Sequence, residues 1–433
     1  MRSIDRFDSR LPQLLDELSQ PRTPDWFDDF VGLTARTPQR PAWTLPERWL
    51  SMTEIARQPV LAPRLPLRFL AIGLLVILLA ATTLLIVASQ RHTPAPPFGL
   101  AQTGLVAFDR GGDIFVADPK TATERAIVTG PSYEIQPTWS LDGTRLAFER
   151  RENMTTHSGK LVVADADGSN AHVITPDSLI GISSYTFSPD GQQILLTTGE
   201  DRTSVAYVAK VDGSGIQQLT SDLIINQPTW RPPDGREIAF VGTRGFEDSG
   251  AEATGLYAMD IATRTVRTIK APVAGRYHGT TSWSPDGTQL AFNEWRDAPA
   301  LTVLTHVVGA DGSGDRVLPI PDAAKWQWSA SWSNDGRRLV GVRGYTGDYG
   351  DTRGTVVPAD ASGPGIEMTW PAGFNLDCCN GWAFAPDDSF ILGLPTTASG
   401  RPAQQLIVDP ATGVMSEARW AATSNPAIQR LAR

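Results

Sequence analysis

The chain has 433 residues with a formal net charge of −9, and its 39 glycines and 33 prolines, set against only 20% charged residues, favour an all-β body rich in turns. A net negative charge gives no general attraction for nucleic acid, so we expect no nucleic-acid partner. The two cysteines, Cys378 and Cys379, are adjacent, which excludes a spaced disulfide framework and a Cys-x-x-Cys zinc site.

The first predicted element is a short cytoplasmic segment, residues 1–68. Its early apolar residues recur at steps of three and four, which is typical of an amphipathic helix. They are Ile4, Phe7, Leu11, Leu14, Leu15 and Leu18. From Pro21 to Pro66 the chain is crowded with proline, tryptophan and arginine, which favours an extended, Pro-rich juxtamembrane part.

The second element is an uncharged apolar run, residues 69–89, which we predict to be one transmembrane helix. At ~1.5 Å per residue, such a run covers roughly 30 Å, the thickness of a bilayer core. The alternative of a buried core helix is less favoured, because the run leaves no polar face for water. Positive charge before the run exceeds that after it, which places the N-terminus in the cytoplasm. The arginines nearest the run are Arg57, Arg64 and Arg68 before it and Arg91 after it.

A linker, residues 90–102, precedes a region in which one phrase recurs six times. The phrase is an aromatic residue, a turn of the Ser-Pro-Asp-Gly kind and an apolar run, as in "WSPDGTQLAF" from Trp283 to Phe292. Proline presets φ in the turn and glycine takes the closing position with positive φ. The turn aspartates, Asp142, Asp190, Asp234, Asp286, Asp335 and Asp387, are 48, 44, 52, 49 and 52 residues apart. Repeats of ~40–50 residues predict a propeller or a solenoid.

Each period is predicted to hold four antiparallel strands, A to D, and residues 103–433 to form a β-propeller. A partial first unit, with strands at 104–108, 113–117 and 125–128, lacks strand A. The stretch Pro426–Gln429 could supply it, which would close the ring and protect both sheet edges. The sequence therefore predicts seven blades, with six as the alternative.

These repeats resemble the TolB-type, WD-like propeller repeat, and are also similar to the N-terminal propellers of prolyl-oligopeptidase-like proteins. The resemblance covers about residues 103–420 and implies the fold and a place in a bacterial envelope. It implies no particular activity, because such repeats serve many roles. The predicted membrane span departs from the soluble TolB pattern, so the transport role of TolB is not carried over.

Any ligand site is expected where the B–C loops and the D–A connections meet, since long loops on a rigid scaffold usually carry binding. The long B–C loops are predicted at 149–159, 242–253 and 343–353. The candidate residues are Tyr277, His278, Trp326 and Trp328 in D–A loops, and Tyr345 and Tyr349 in a B–C loop. The alternative is surface variation without function.

Two further motifs carry chemical hypotheses. Cys378 and Cys379 can oxidise to a vicinal disulfide outside the cytoplasm, with free thiols as the alternative. The stretch Asp165–Asn170 mimics part of a calcium loop, but hairpin-turn chemistry explains it, so we expect no metal and no cofactor. No Gly-x-Ser-x-Gly elbow is present, and we predict no catalytic residues and no enzyme activity.

The leading functional prediction is a single-pass, membrane-anchored extracytoplasmic propeller that acts as a binding scaffold or sensor for an unknown protein or small ligand. The alternative is a transmembrane signalling regulator whose residues 1–68 bind a cytoplasmic protein. That layout is similar to a bacterial anti-sigma factor, although residues 1–68 contain no Cys or His for the zinc site of one such class. A hydrolase is the third and least favoured interpretation.

Overall fold

A computed structural model describes most of the region after the linker. The described residues are 98–153, 155, 159–199, 204–219, 223–243, 253–296, 302–321, 324–345, 352–369, 381–393, 403–423 and 425–432. They all belong to one compact unit, Ser89–Arg433. The predicted cytoplasmic segment 1–68 and the predicted span 69–89 lie outside the described residues. Within the described residues, no helix has the length and apolar character needed to cross a membrane.

The described residues form twenty-eight β-strands, numbered in chain order. The first fourteen are β1 (Gln102–Arg110), β2 (Asp113–Ala117), β3 (Glu124–Val128), β4 (Tyr133–Trp139), β5 (Arg145–Arg151), β6 (Lys160–Asp165), β7 (His172–Val173), β8 (Ile182–Phe187), β9 (Gln193–Thr198), β10 (Val205–Lys210), β11 (Ile216–Leu219), β12 (Ile224–Trp230), β13 (Glu237–Thr243) and β14 (Gly255–Asp260). The others are β15 (Val266–Lys270), β16 (Arg276–Trp283), β17 (Gln289–Arg296), β18 (Thr302–Gly309), β19 (Arg316–Val317), β20 (Trp326–Trp332), β21 (Arg338–Gly344), β22 (Thr352–Pro358), β23 (Ile366–Glu367), β24 (Trp382–Phe384), β25 (Ile391–Gly393), β26 (Ala403–Val408), β27 (Met415–Ala422) and β28 (Ala427–Leu431).

Within the described part of the chain these strands pair into seven four-stranded antiparallel sheets, the blades. Blade 1 has the order β28-β1-β2-β3, and blades 2 to 7 each take four consecutive strands. Strand β28, at the stretch predicted to supply the missing strand A, pairs with β1 through Val106 and Ile428. The prediction of seven blades closed by the C-terminal strand is confirmed, and the alternative of six blades is wrong.

The blades are held together by hydrophobic cores that lie between them. In the described residues there are seven such clusters, one for each gap around the ring. Val116 of blade 1 packs with Phe148 of blade 2. Phe108 of blade 1 packs with Leu392 and Trp420 of blade 7, so the first and last blades are neighbours. A single sheet cannot cover both of its own faces, and the ring does this for each sheet.

The repeated turn joins strands A and B, and blade 5 shows its chemistry. The Ser284 hydroxyl donates to Asp286 Oδ1 at 2.6 Å and accepts from the Gln289 amide at 3.0 Å. Gly287 has φ +68, and a Cβ there would lie 2.0 Å from the carbonyl oxygen of Pro232 in blade 4. Glycine is therefore required both by the backbone conformation and by the close approach of the preceding blade.

The last repeat departs from this pattern, because Asp388 stands where the other turns have glycine. Asp388 has φ +57, a conformation that aspartate tolerates better than most residues. Its carboxylate accepts hydrogen bonds from the Asn334 and Asp335 amides in the turn of blade 6, both at 2.8 Å. The substituted side chain thus links two adjacent turns.

Two predicted boundaries are wrong. The innermost strands β16 and β20 begin earlier than expected, so that Tyr277, His278, Trp326 and Trp328 lie in strands A and not in D–A loops. A register irregularity between Gly279 and Ser282 interrupts β16, and this breaks the alternation that would have marked the strand in the sequence.

Candidate functional site

The ring has two ends. The A–B end carries the A–B and C–D turns, and the B–C end carries the B–C loops and the D–A connections. The B strands of three blades run into the predicted B–C loops, since β5 extends to Arg151, β13 to Thr243 and β21 to Gly344. The B–C end is therefore built partly from strand ends, with side chains whose positions are fixed by cross-strand register.

The first described residues, 98–101, lie at the A–B end. Phe98 and Gly99 line a cavity of about 370 Å³ together with turn residues of blades 5 and 6. The Gly99 carbonyl accepts from Arg430 Nη2 at 2.6 Å, and the Ala101 amide donates to the Pro386 carbonyl at 2.9 Å. Arg430 Nη1 also donates to Asn334 Oδ1 at 2.6 Å. We call residues 98–101 with Arg430 the strap.

Arginines at the A–B end join neighbouring blades. Arg145 Nη1 donates to the Gly191 carbonyl at 2.8 Å, Arg231 Nε to the Gly287 carbonyl at 2.9 Å, and Arg316 Nε to the Ala359 carbonyl at 3.0 Å. Each acceptor lies in a turn of the next blade. These three arginines thus help to hold adjacent blades together.

The B–C end of blade 5 contains a buried carboxylate, Glu294, surrounded by cationic and imidazole groups. Arg296 Nε donates to Glu294 Oε1 at 2.7 Å, Arg276 Nη1 lies 3.4 Å from both carboxylate oxygens, and His278 Nε2 lies 3.6 Å from Oε2. Burial acts to raise the pKa of the Glu294 carboxyl, but the contacts with His278 and Arg296 outweigh it and lower the pKa to about 2. Glu294 is therefore ionised in the folded protein at neutral pH.

A second histidine extends this cluster outward along blade 5. His306 Nδ1 lies 3.0 Å from Asp315 Oδ1 and its Nε2 lies 4.0 Å from Glu294 Oε1. Its ring stacks on Phe292, with 5.0 Å between centroids. Burial acts to raise the pKa of Asp315, but the hydrogen bonds from His306 and Lys270 bring it to about 2. The cluster thus reaches from strand A to the residue before strand D, with the charged pairs on either side of His306.

Blade 2 has a polar group at the same register, but with balanced charge. Glu134, which corresponds to His278, accepts from Arg150 Nε at 2.8 Å. Glu149 accepts from Arg151 Nε and Nη2, also at 2.8 Å. In blade 2, two carboxylates form ion pairs with two guanidinium groups. In blade 5, one carboxylate forms ion pairs with two guanidinium groups.

Blade 6 has an arginine at this register that is paired with neutral groups. Arg343 is only 1% exposed and donates from Nε to Gln327 Oε1 at 2.8 Å, and its Nη2 donates to the Pro364 carbonyl. Burial lowers the pKa of Arg343 to about 10. Glu367 Oε1 lies 3.9 Å from Nη1. Polar side chains buried at the B–C end thus occur in blades 2, 5 and 6.

Some of the aromatic residues predicted to form the binding site lie partly in the hydrophobic core. Trp328 is half-buried and meets Trp295 edge to face, with centroids 4.9 Å apart and an interplanar angle of 84°. Both rings pack against the hydrophobic core between blades 6 and 7. Tyr277 lies opposite Trp295 on the adjacent strand. The guanidinium of Arg353 lies 4.4 Å from the ring centroid of Tyr345.

The structure brings Tyr277, His278 and Trp328 to the same end of the ring as Tyr345, as the sequence predicted. Trp326 lies in strand β20, at the register of Tyr277. Tyr349, Cys378 and Cys379 lie outside the described residues. Sequence reasoning missed several members of the blade 5 cluster, namely Arg276, Glu294, Arg296, His306 and Asp315. The available signal was the run Asn293-Glu-Trp-Arg296, where charge follows directly on an apolar run.

The hairpin Asp165–Asn170, which mimics part of a calcium loop, and the similar hairpin at Asp311 are each closed by an aspartate side chain. Asp167 accepts from the Ser169 amide at 2.9 Å, and Asp311 accepts in the same way from Ser313. The hydroxyls of Ser169 and Ser313, which also donate to these carboxylates, and then the two amides lower the pKa of Asp167 and Asp311. In the part of the chain that the structure describes, no group of three or more His, Cys, Asp or Glu residues is placed to hold a metal ion.

The fold and its turn repeat define a β-propeller protein, and comparison with known proteins gives its family. The model of the TolB beta propeller domain matches residues 144–368, more than half of the chain. The chain belongs to this TolB-type propeller family.

Among individual relatives, the chain is similar to the Tol-Pal system protein TolB of Francisella tularensis subsp. holarctica, with 27% identity over 129 residues. The match covers 29% of each protein, so the chain spans about three tenths of the length of the curated relatives it matches. Among solved structures, oligogalacturonate lyase from Vibrio parahaemolyticus has a TM-score of 0.52 at 12% identity, over 73% of this chain and 86% of that one.

The propeller domain of the Trilobed protease from Pyrococcus furiosus has a TM-score of 0.50 at 14% identity, over 75% of this chain and 98% of that one. It is described as having an open velcro topology, whereas β28 pairs with β1 here. At these identities the likeness concerns the fold alone.

Proposed function

We propose that this chain is a membrane-anchored, extracytoplasmic propeller that binds a protein partner at its B–C end without catalysing a reaction. The proposal rests on the different side chains at the two ends of the ring. The A–B end is occupied by the strap and by arginines that join adjacent blades. The B–C end carries half-exposed arginines and aromatic residues that differ from blade to blade. Binding by loops and strand ends on a rigid scaffold suits this end.

A partner of protein nature is supported by the relatives. The TolB proteins of Francisella tularensis carry the name of the Tol-Pal system. From that name we take two points for this chain: that it acts in a bacterial envelope, and that its partner is a protein. The partner itself is not identified by the similarity.

The absence of catalysis is part of the proposal. Several structures with this fold are enzymes or parts of enzymes, such as the lyase from Vibrio parahaemolyticus. In blade 5, however, the buried carboxylate Glu294 is held by Arg296 and Arg276, and the carboxylate of Asp315 is held by His306 and Lys270. Groups that are paired in this way are suited to fixing an architecture.

The test is partner capture from cell envelopes by the full-length chain. We expect Trp326→Ala, Tyr345→Ala and Tyr349→Ala, combined in one variant, to abolish capture of proteins that the wild type retains after crosslinking. The matched control replaces Asp234 and Arg236, an exposed pair at the A–B end, with alanine. Circular dichroism checks that both variants fold. Unchanged capture by the triple variant would refute the proposed end.

Anchoring is tested separately by membrane fractionation. The full chain should stay in the membrane pellet after alkaline carbonate washing, and a chain without residues 69–89 should not. Release of the full chain by carbonate would contradict the proposed anchor while leaving the binding proposal in place.

The second candidate function is transmembrane signalling, in which residues 1–68 bind a cytoplasmic protein such as a sigma factor. The amphipathic spacing from Ile4 to Leu18 favours it. Co-purification of a sigma factor with residues 1–68 alone would support this function. Failure of the full chain to retain any such factor would exclude it.

A further inference from the structure

Two arginines at the B–C end of blade 5 share one carboxylate. Arg276 and Arg296 are direct partners across strands β16 and β17, and the side chain of each is 40% exposed. Like charges placed opposite each other in a sheet repel unless an anion lies between them. Among the described residues, Glu294 supplies one negative charge to this pair, which leaves an excess of one positive charge.

Blade 2 shows that the fold does not require this imbalance. At the equivalent level, Arg150 pairs with Glu134 and Arg151 pairs with Glu149. In blade 5 the position of Glu134 is taken by His278. Within the described residues, Glu294 is the one carboxylate that forms an ion pair with Arg276 or Arg296. The excess charge is also opposite in sign to the net charge of the chain, −9.

The hydrogen-bond geometry leaves donors available. An arginine has five N–H donors. Arg296 uses Nε and Nη2 for Glu294, and Arg276 uses Nη1 alone, at the long distance of 3.4 Å. Both guanidinium groups are therefore oriented by a buried carboxylate that engages only part of their N–H donors. Preorganised guanidinium pairs of this kind suit a carboxylate, which accepts two parallel hydrogen bonds.

We infer that Arg276 and Arg296 form a carboxylate-binding subsite for an acidic peptide segment of the partner, an inference that rests on the proposed function and specifies the partner's chemistry. A peptide is favoured over an acidic sugar by the neighbouring aromatic residues. The rings of Trp295 and Trp328 pack edge to face on each other and on the core between blades 6 and 7. An edge of one ring covers a face of the other and both rings pack on the core, which leaves less ring face for stacking on a sugar.

The test measures binding of fluorescein-labelled peptides to the full-length protein by fluorescence anisotropy at low salt. The acidic probe is Gly-Glu-Gly-Glu-Gly-Glu-Gly, the neutral probe carries Gln in place of each Glu, and polygalacturonate serves as the anionic sugar. The variants are Arg276→Gln and the double variant Arg276→Gln/Arg296→Gln. The control is Arg236→Gln, because Arg236 is an exposed arginine at the A–B end.

We expect the acidic probe to bind the wild type and the Arg236→Gln variant equally, and the neutral probe to bind at least tenfold more weakly. Loss of one charge-assisted pair should weaken acidic-probe binding by roughly tenfold in Arg276→Gln. Arg276→Gln keeps the Arg296–Glu294 pair, so it remains informative if the double variant does not fold.

Equal binding of the two peptides, equal affinity in Arg276→Gln and wild type, or binding of polygalacturonate alone would each overturn the inference. Envelope capture separates this result from the proposed function. If Arg276→Gln/Arg296→Gln still captures the partner and the acidic probe does not bind, the subsite is wrong and the binding end stands.

Discussion

The two ends of the ring use the same strands in opposite ways. At the A–B end, a repeated turn places a serine, an aspartate and a glycine where the preceding blade packs against them, as Gly287 packs against Pro232. At the B–C end, the equivalent positions carry Glu134 in blade 2, His278 in blade 5 and Gln327 in blade 6. The turn repeat persists where neighbouring blades pack against it, and the side chains at the B–C end differ from blade to blade.

The largest expected effect is on the free energy of folding. It is measured by substituting one glycine at each end of the ring. Gly287→Ala places a Cβ 2.0 Å from the Pro232 carbonyl oxygen at a φ of +68, so we expect a loss of folding free energy of roughly 3 kcal/mol or more. Gly275, in the connection before β16, has a similar φ of +74, and a Cβ added there would have no atom within 4 Å. Gly275→Ala should therefore cost only the backbone strain, about 1 kcal/mol.

Urea denaturation of both variants provides the measurement. Equal losses in the two variants would show that interblade contact adds nothing to the cost at the A–B end.

The next effect concerns the carboxylates that blades 5 and 2 place at the B–C end. The pKa of Glu294 is lowered to about 2, so its contribution is present above the unfolded value near 4.5 and is lost as the pH falls toward 2. Glu294→Gln should be less stable than wild type at neutral pH by up to about 3 kcal/mol, with a difference that shrinks below pH 4.5.

Glu134 in blade 2 provides the contrasting measurement. Burial raises the pKa of Glu134 above its usual value, despite the hydrogen bond from Arg150. The advantage of wild type over Glu134→Gln should therefore be greatest at low pH and fall as the pH rises. Thermal unfolding of both variants between pH 2 and 8 measures the two trends, and parallel trends would contradict the different electrostatics of the blades.

A smaller effect is expected at the one turn that departs from the repeat. Asp388→Gly restores the glycine of the other turns and relieves the strain of φ +57, but leaves the Asn334 and Asp335 amides without their acceptor. We expect a net loss of about 1 kcal/mol, because the lost hydrogen bonds outweigh the relieved strain. A more stable variant in urea denaturation would show that Asp388 is a tolerated defect.

The sequence predicted the regular part of the molecule because the same local chemistry is written six times. The spacing of the turn aspartates revealed the period. The strand Ala427–Leu431, which has only a weak strand pattern in the sequence, closes the first blade as expected. The first halves of β16 and β20 were missed, since irregularities between Gly279 and Ser282 and between Ser329 and Ser331 disrupt the alternation of the two strands. The blade 5 cluster was missed for another reason. His278 and Glu294 meet through cross-strand register, and no local pattern links residues 16 positions apart.

Photocrosslinking of the full-length chain in living cells tests the central claim most directly. A benzoylphenylalanine is placed at one of two exposed positions. One is Lys325 at the B–C end, whose backbone amide donates to the Gly344 carbonyl, and the other is Arg236 at the A–B end. We predict that one protein partner is crosslinked from position 325 and is absent or strongly reduced from position 236. A partner crosslinked from position 236 and not from position 325 would contradict the account.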